Sequence, residues 1–280
     1  MRPQQGCAER LMMMEVKMGS ESLERMRNIF DLSGRVVIVT GAAGGLGRIF
    51  TLSLVAFGAQ VVLASRNTEN LRQLEGEIRN MGGGTLAIPT DITEETQVDR
   101  MVTETLKQFG KIDILVNNSG IEDRVSAEEM SLKSWETVMK TNATGAFLCS
   151  QRVGRTMIPR KRGKIINISS IRGRFGRAKN FVSYCSSKGA LDSMTRAFAC
   201  EWGQYNIQVN GIAPSLIETG VSGPSLRDPG FIQRLIDRIP LKRWGQPDDL
   251  VGSIIFLASD ASNFINGQIL YVDGGFSVSG

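Results

Sequence analysis

A tyrosine and a lysine stand four residues apart, at Tyr184 and Lys188, inside a stretch with helical periodicity. Side chains at this spacing lie on one face of a helix, one turn apart. A tyrosine with its usual pKa of about 10 is a weak acid–base group near neutral pH. An ammonium held nearby stabilises the phenolate and lowers that pKa, so the pair predicts proton transfer by Tyr184. Taken alone, the spacing also fits a plain contact on a helix surface.

Histidine is absent from all 280 residues, so proton transfer cannot rest on an imidazole. Ser-His-Asp and Cys-His hydrolases are excluded, together with metal sites built on histidine, and we expect no metal. The 33 basic and 28 acidic side chains give a net charge of +5, which is spread along the chain. This mild excess favours a small anionic ligand over a nucleic-acid surface.

The cysteines and the apolar runs bear on the location of the protein. Four cysteines occur without CxxC spacing, which is typical of reduced thiols in a cytoplasmic protein. No apolar run approaches the roughly 20 residues that cross a bilayer. We therefore expect a cytoplasmic protein with no membrane partner.

Glycines cluster between positions 41 and 47, directly after a β-branched run. Such a cluster lets the backbone turn sharply and approach a pyrophosphate, whose charge the amino end of the next helix stabilises. A tight turn without a ligand is the alternative, but the position after a first strand favours a nucleotide. The cofactor contacts predicted here are Gly41, Gly45, Leu46 and Gly47.

The second strand ends in Ser65 and Arg66, and no carboxylate follows before Glu69. An acidic residue at this place binds the ribose 2′-hydroxyl of NAD, whereas an arginine accommodates the 2′-phosphate of NADP. The sequence therefore favours NADP(H) and leaves NAD(H) open. A solvated loop charge at Arg66 is the alternative interpretation.

Positive charges crowd the segment between Ser170 and Tyr184, and Arg124 comes from a neighbouring loop. A guanidinium fork binds a carboxylate, so Arg124, Arg172 and Arg174 are predicted to hold an anionic substrate. Solvated loop charges, or contacts to a partner subunit, are the equally open alternative.

Short apolar strands alternate with amphipathic segments of helical length along the chain. This pattern predicts an α/β fold, a Rossmann-type doubly wound parallel sheet of about seven strands in a single domain. The catalytic domain is predicted at 29–280, after a flexible N-terminal arm at 1–28. The strands are expected at 35–40, 60–64, 85–88, 113–117, 164–169, 207–212 and 269–272, and helices at 67–81, 94–109, 131–157, 181–202 and 247–258.

These motifs occur in a fixed order, and together they make the chain resemble the short-chain dehydrogenase/reductase family over 31–280. The matching pieces are TGxxxGxG at 40–47, Asp91-Ile92, the NNSG run at 117–120, Asn142, Ser169-Ser170, YxxxK at 184–188, RWGQP at 243–247 and VDGG at 272–275.

The resemblance implies a role for each matching residue. Tyr184 would exchange a proton with the substrate oxygen, Ser170 would stabilise charge on that oxygen, and Lys188 would bind the nicotinamide ribose and lower the pKa of Tyr184. Asn142 would hold a water that links Lys188 to solvent. The other cofactor contacts would be Asp91 and Ile92 at the adenine, Asn118 near its ribose, and Pro214, Ile217 and Thr219 at the nicotinamide.

The stretches at 228–231 and 238–250 resemble the sugar and sugar-acid dehydrogenases of this family. The implied activity is the interconversion of a secondary alcohol and a ketone with a nicotinamide cofactor, on a sugar or a sugar acid such as gluconate. A 3-oxoacyl-thioester reductase and, more remotely, a non-catalytic nucleotide-binding regulator are the alternatives. The resemblance also implies a homodimer or a homotetramer.

Overall fold

A single parallel sheet forms the centre of the molecule, for which a computed structural model describes residues 20–177, 180–218 and 229–279. Seven strands lie in the order β3-β2-β1-β4-β5-β6-β7. Every neighbouring pair is parallel. The predicted doubly wound fold is therefore confirmed. The strands are β1 Val36–Thr40, β2 Gln60–Ser65, β3 Thr85–Pro89, β4 Ile114–Asn117, β5 Gly163–Ile168, β6 Ile207–Pro214 and β7 Ile269–Val272.

Helices cover both faces of the sheet, which explains why its central strands are apolar along their whole length. In β1, Val37 and Val39 pack into one core and Ile38 packs into the other, because successive side chains point to opposite faces. The described helices are α1 Ser20–Arg27, α2 Gly45–Ala56, α3 Thr68–Asn80, α4 Glu95–Phe109, α5 Leu132–Met139, α6 Ala146–Met157, α7 Val182–Trp202, α8 Pro229–Ile236 and α9 Val251–Ala258. Apolar residues of α2, α3 and α9 fill the first core, and those of α4, α6 and α7 fill the second.

The helix predicted at 131–157 is interrupted. A π-helical turn at Lys140–Gly145 separates α5 from α6. At its end Gly145 lies so close to Ile92 that an added Cβ would come within 2.6 Å of the Ile92 side chain. Inserted π turns often occur at functional sites, and this one carries Asn142.

Three elements outside the sheet depart from the prediction. The first 19 residues of the expected arm at 1–28 lie outside the described residues, and α1 occupies Ser20–Arg27 of that stretch. Helix α8 was not expected from the periodicity, and the segment predicted as a helix at 247–258 starts with a 3-10 turn at Pro247–Leu250. Among the described helices, none has the length and apolarity needed to cross a membrane.

Candidate active site

The glycine cluster forms a sharp turn between β1 and α2. Gly41 and Gly45 have φ values of +64° and +49°, which L side chains rarely adopt. Gly47 serves a different purpose, because an added Cβ would lie 2.0 Å from the carbonyl oxygen of Gly41. The Asn118 side-chain amide donates to the carbonyl oxygens of Thr40 at 3.0 Å and Gly41 at 3.2 Å. Asn118 therefore fixes the loop itself, and Gly47 lets the helix pack against it.

A groove of about 500 Å³ runs along the carboxyl ends of the strands, beside this loop. The amino end of α2 opens onto it, and the N-cap residue Gly44 supplies no side-chain hydrogen bond. The backbone N–H groups of the first turn can therefore bind a pyrophosphate. Predicted residues that line the groove are Gly41, Gly45, Leu46, Asn118, Ser170, Tyr184, Lys188, Pro214 and Ile217.

The groove continues into a smaller compartment of about 140 Å³, with which it shares Gly41 and Gly120. This compartment is lined by Ser65, Arg66, Asp91 and Ile92, which were all predicted to contact the cofactor. Two predicted cofactor contacts remain. Gly47 packs against the backbone of Gly41 and is not among the residues that line the groove, and Thr219 lies outside the described residues.

Asp91 is an ionised carboxylate beside a positive charge. Burial opposes its ionisation, but hydrogen bonds from Thr93 and the charges of Arg66 and Lys140 keep the pKa of Asp91 below its usual value. The Thr93 backbone N–H and hydroxyl both donate to Asp91, at 2.9 and 2.8 Å. Arg66 is thus close enough to the Asp91 carboxylate to act on it, and both residues line this compartment.

Tyr184 and Ser170 meet at the floor of the groove. Ser170 follows β5 in an extended conformation and is buried, and Tyr184 sits in the first turn of α7. Burial raises the pKa of Tyr184 to about 12, while its hydrogen bond with Ser170 acts in the opposite direction. Two hydroxyl groups therefore converge where a carbonyl oxygen could accept hydrogen bonds from both.

Lys188 lies one turn along α7 from Tyr184 and is buried. Its ammonium donates to the Ile168 carbonyl oxygen at 2.7 Å and lies 5.7 Å from the centre of the Tyr184 ring. Burial lowers the pKa of Lys188 to about 8, and Asp192 acts in the opposite direction. The expected lowering of the tyrosine pKa by Lys188 is wrong for this structure, because burial dominates at the phenol.

Asn142 is held behind Lys188 by the π-helical turn. Its side-chain oxygen accepts from the Ile121 N–H at 2.8 Å, and its amide nitrogen donates to the Ile121 carbonyl oxygen at 2.8 Å. The same nitrogen also lies 3.0 Å from the Ser187 hydroxyl oxygen. A Cβ on Gly120 would be 3.4 Å from the Asn142 amide oxygen and 3.5 Å from Lys188 Nζ, so the two groups border one space.

A second cavity, of about 150 Å³, opens from the groove at Ser170 and Tyr184. Arg124 and Arg172 line it, as predicted for substrate contacts. Arg174 does not line it, because its guanidinium packs over the rings of Phe175 and Tyr271.

Arg177 lines the cavity in its place, and the sequence prediction missed it. Burial lowers the pKa of the Arg177 and Arg172 guanidiniums, and neighbouring positive charges lower them further. The charge run on the loop between Ser170 and Tyr184 was the available signal. Its irregular backbone carries no periodicity that distinguishes Arg177 from Arg174.

Known proteins resemble this chain over almost its whole length. A family model described as enoyl-(acyl carrier protein) reductase matches residues 41–277. A short-chain type dehydrogenase/reductase from Mycobacterium marinum has a crystal structure that superposes with a TM-score of 0.85 at 34% identity, covering 90% of this chain and 99% of that one. The chain belongs to the short-chain dehydrogenase/reductase family.

Other members of the family are at least as similar. Gluconate 5-dehydrogenase from Gluconobacter oxydans is 40% identical over 90% of this chain and 98% of its own length. A crystal structure of a gluconate 5-dehydrogenase from Burkholderia cenocepacia in complex with NADP and tartrate has a TM-score of 0.86 at 38% identity, covering 89% of this chain and 98% of that one. The protein is an NAD(P)-dependent oxidoreductase that acts on CH–OH groups, which confirms the predicted reaction class.

Proposed function

We propose that this enzyme interconverts a secondary hydroxyl and a ketone on a sugar acid such as gluconate, with NADP(H) as its cofactor. The observation that carries the proposal is the set of residues that lines the substrate cavity. Its floor is the Ser170–Tyr184 pair, and its walls carry Arg124, Arg172 and Arg177. A hydroxyl group at the floor and a carboxylate at the arginines would place one polyhydroxy acid across the cavity.

The two hydroxyl groups at the floor would handle the reacting oxygen. Ser170 would donate a hydrogen bond to it, and Tyr184 would give up or take the proton as the carbonyl and the alcohol interconvert. Lys188 would bind the nicotinamide ribose, and Asn142 would hold the water that links Lys188 to solvent. The nicotinamide, when bound, supplies or takes up the hydride, and the protein supplies orientation and electrostatics.

Arg66 supports NADP(H) as the cofactor. It lines the compartment beside Asp91, where the ribose 2′-phosphate would need a cation. The relative from Burkholderia cenocepacia is described in complex with NADP. Arg66 would bind the dianionic 2′-phosphate of NADPH, and NADH would lack that contact.

Two similarities support a carboxylate substrate. One relative is named gluconate 5-dehydrogenase, and another is described with bound tartrate, a small dicarboxylate. The arginines of this chain would supply the matching charge. In the 3-oxoacyl-thioester alternative the reacting acyl group is uncharged, so it would offer no carboxylate to the guanidiniums of this cavity.

A substrate panel tests the proposal. Gluconate and its 5-keto form, a neutral polyol and a 3-oxoacyl thioester are compared through the change in NADPH absorbance. The sugar acid should be preferred, and Arg177→Gln should raise its KM by about tenfold or more through loss of a charge-assisted hydrogen bond.

Arg174→Gln is the matched control, because Arg174 packs on Phe175 and Tyr271 outside the cavity. It should leave the KM unchanged. A preference for the polyol or the thioester, or equal effects of the two variants, would refute the proposed substrate class.

We also propose that the enzyme is a cytoplasmic homodimer or homotetramer. Family membership supports this assembly, and exposed apolar side chains on α6 and at the C-terminus, Phe147 and Val278, offer surface for a second copy. The proposed catalytic domain is 29–280. Sedimentation velocity would measure the assembly, and a monomer at micromolar concentration would refute it.

A further inference from the structure

Another cavity, of about 310 Å³, lies at the opposite end of the sheet from the active site. Most of its lining residues lie just before β1, β4, β5 and β6 or within the first two residues of a strand, and the others lie at the end of α9 or shortly after it, so the cavity faces the amino ends of these strands. Five strand residues span about 17 Å, so a ligand here would not touch the substrate. The charged lining residues are Arg35, Asp113, Arg160, Lys161, Arg162, Lys164 and Asp260.

Positive charge exceeds negative charge in this cavity, and both carboxylates are already engaged. Asp260 Oδ1 lies 2.8 Å from Arg35 and 3.7 Å from Arg162, so two guanidiniums share one oxygen. Asp113 accepts from Arg160 at 2.5 Å and from the backbone N–H of Val36 at 3.0 Å. Each carboxylate therefore already contacts at least one guanidinium, and two further cations of the lining, Lys161 and Lys164, form no salt bridge with either of them among the described residues.

Of these two cations Lys161 is exposed, whereas Lys164 is buried and only 7% exposed. Among the described residues, the hydrogen-bond partner of the Lys164 ammonium is the hydroxyl oxygen of Ser262, at 3.0 Å. Buried charges in proteins are ordinarily paired with an opposite charge, because desolvation is costly. Burial lowers the pKa of Lys164 to about 8, the charge of Asp260 acts against this, and the charges of Arg35 and Arg162 add to it.

We propose that this cavity binds a small divalent oxyanion, a phosphate or sulfate group, between Lys164, Arg35 and Arg162. An anion there would supply the opposite charge that the Lys164 ammonium lacks and would relieve repulsion among the three cations. Guanidinium groups match the oxygens of such an anion with two parallel hydrogen bonds, and the ammonium adds a point charge. The cavity is roomy enough to hold the organic part of a phosphomonoester.

Calorimetric titration with sulfate tests the site on the full-length enzyme saturated with NADPH and gluconate, which keep sulfate out of the cofactor groove and out of the arginine-lined substrate cavity and, both being reduced, do not react with each other. Chloride holds the ionic strength constant. Sulfate should bind the unmodified enzyme, and Lys164→Met and Arg162→Gln should each lower the affinity for sulfate about tenfold or more. Arg162 is about half exposed, so its variant should fold even if the Lys164 variant did not.

Lys133→Met is the control, because it removes one exposed positive charge of α5 outside this cavity. It should leave the sulfate affinity unchanged. Sulfate keeps its charge across the pH range, so affinity should fall about tenfold between about pH 7 and about pH 9 as Lys164 loses its proton. Absence of sulfate binding, or binding that both cavity variants leave intact, would overturn the proposal.

Discussion

The packing of α2 against the glycine loop makes a quantitative prediction at Gly47. An alanine there would place its Cβ 2.0 Å from the Gly41 carbonyl oxygen and 2.8 Å from the Gly41 carbonyl carbon. Both atoms belong to the backbone, so no side-chain rotation can relieve the contact. The helix must move away from the loop, or the loop must lose the turn that faces the cofactor.

The cost of such overpacking is typically about 1–3 kcal/mol of unfolding free energy, and backbone contacts place Gly47→Ala near 3 kcal/mol. Gly76 is the matched position, because it lies inside α3 with no atom within 4 Å of an added Cβ. The same substitution there should stabilise the protein by up to about 1 kcal/mol through helix propensity. The two alanine variants should therefore differ by several kcal/mol in opposite directions.

Gly44→Ala separates folding from cofactor binding. Gly44 has an extended backbone at φ −152°, nothing lies within 4 Å of its added Cβ, and it lines the groove. The unfolding free energy of the Gly44→Ala variant should differ from that of the unmodified enzyme by no more than about 1 kcal/mol, the usual size of an N-cap effect. Its affinity for NADPH should fall, because the methyl group occupies space that the pyrophosphate approaches.

Urea unfolding followed by tryptophan fluorescence, together with NADPH titration, measures all three variants. We expect a lower urea midpoint and weaker NADPH binding for Gly47→Ala, a higher midpoint with unchanged binding for Gly76→Ala, and weaker binding alone for Gly44→Ala. If Gly47→Ala were as stable as Gly76→Ala and bound NADPH with the affinity of the unmodified enzyme, the packing account of this loop would be wrong.

Two further predictions concern single charges. Arg66→Gln should weaken NADPH by about tenfold or more and leave NADH unaffected, since only NADPH carries the 2′-phosphate; equal losses in fluorescence titrations with the two cofactors would contradict this. Lys188→Met should abolish turnover. It should also stabilise the fold near pH 7, because a buried ammonium with a pKa of about 8 destabilises the folded state. The gain in unfolding free energy should be up to about 3 kcal/mol, reduced by the loss of the hydrogen bond to the Ile168 carbonyl oxygen. The unfolded chain retains that proton up to a higher pH than the folded chain, so this group makes the unmodified enzyme more stable as the pH rises from about 8 towards 10.5. The stability advantage of Lys188→Met should therefore shrink over that range. A stability advantage in urea unfolding that did not depend on pH would refute the lowered pKa of Lys188.

Much of the fold was predictable because local sequence patterns determine it. Each strand was placed within two residues of its observed ends, since buried parallel strands are continuous β-branched runs bounded by polar turns. The interruption at Lys140–Gly145 could not be predicted, because the widened turn depends on the contact of Gly145 with Ile92 and on the bonds between Asn142 and Ile121. These contacts join segments far apart in the chain.

The site residues, too, fall into those that local sequence patterns place and those that contacts distant in sequence place. The glycine loop, Ser170 and the Tyr184–Lys188 pair follow strands or lie on one helix, so their positions follow from the order of the elements. The choice of Arg174 over Arg177 failed because side-chain direction on an irregular loop is set by aromatic neighbours distant in sequence, here Tyr271. The pKa of Tyr184 was misjudged because spacing reveals the ammonium and does not reveal the depth of burial.

The proposed function depends on proton transfer by Tyr184 in the NADP(H)-dependent reduction of a sugar-acid ketone. The decisive measurement is the rate of 5-ketogluconate reduction by NADPH, taken in parallel with NADPH affinity, for Tyr184→Phe and for the control Tyr205→Phe. We expect Tyr184→Phe to lose about 100-fold or more in kcat with unchanged NADPH affinity, the usual size of a general acid contribution, and Tyr205→Phe to retain full activity. Turnover by Tyr184→Phe at the rate of the unmodified enzyme would contradict this role of Tyr184.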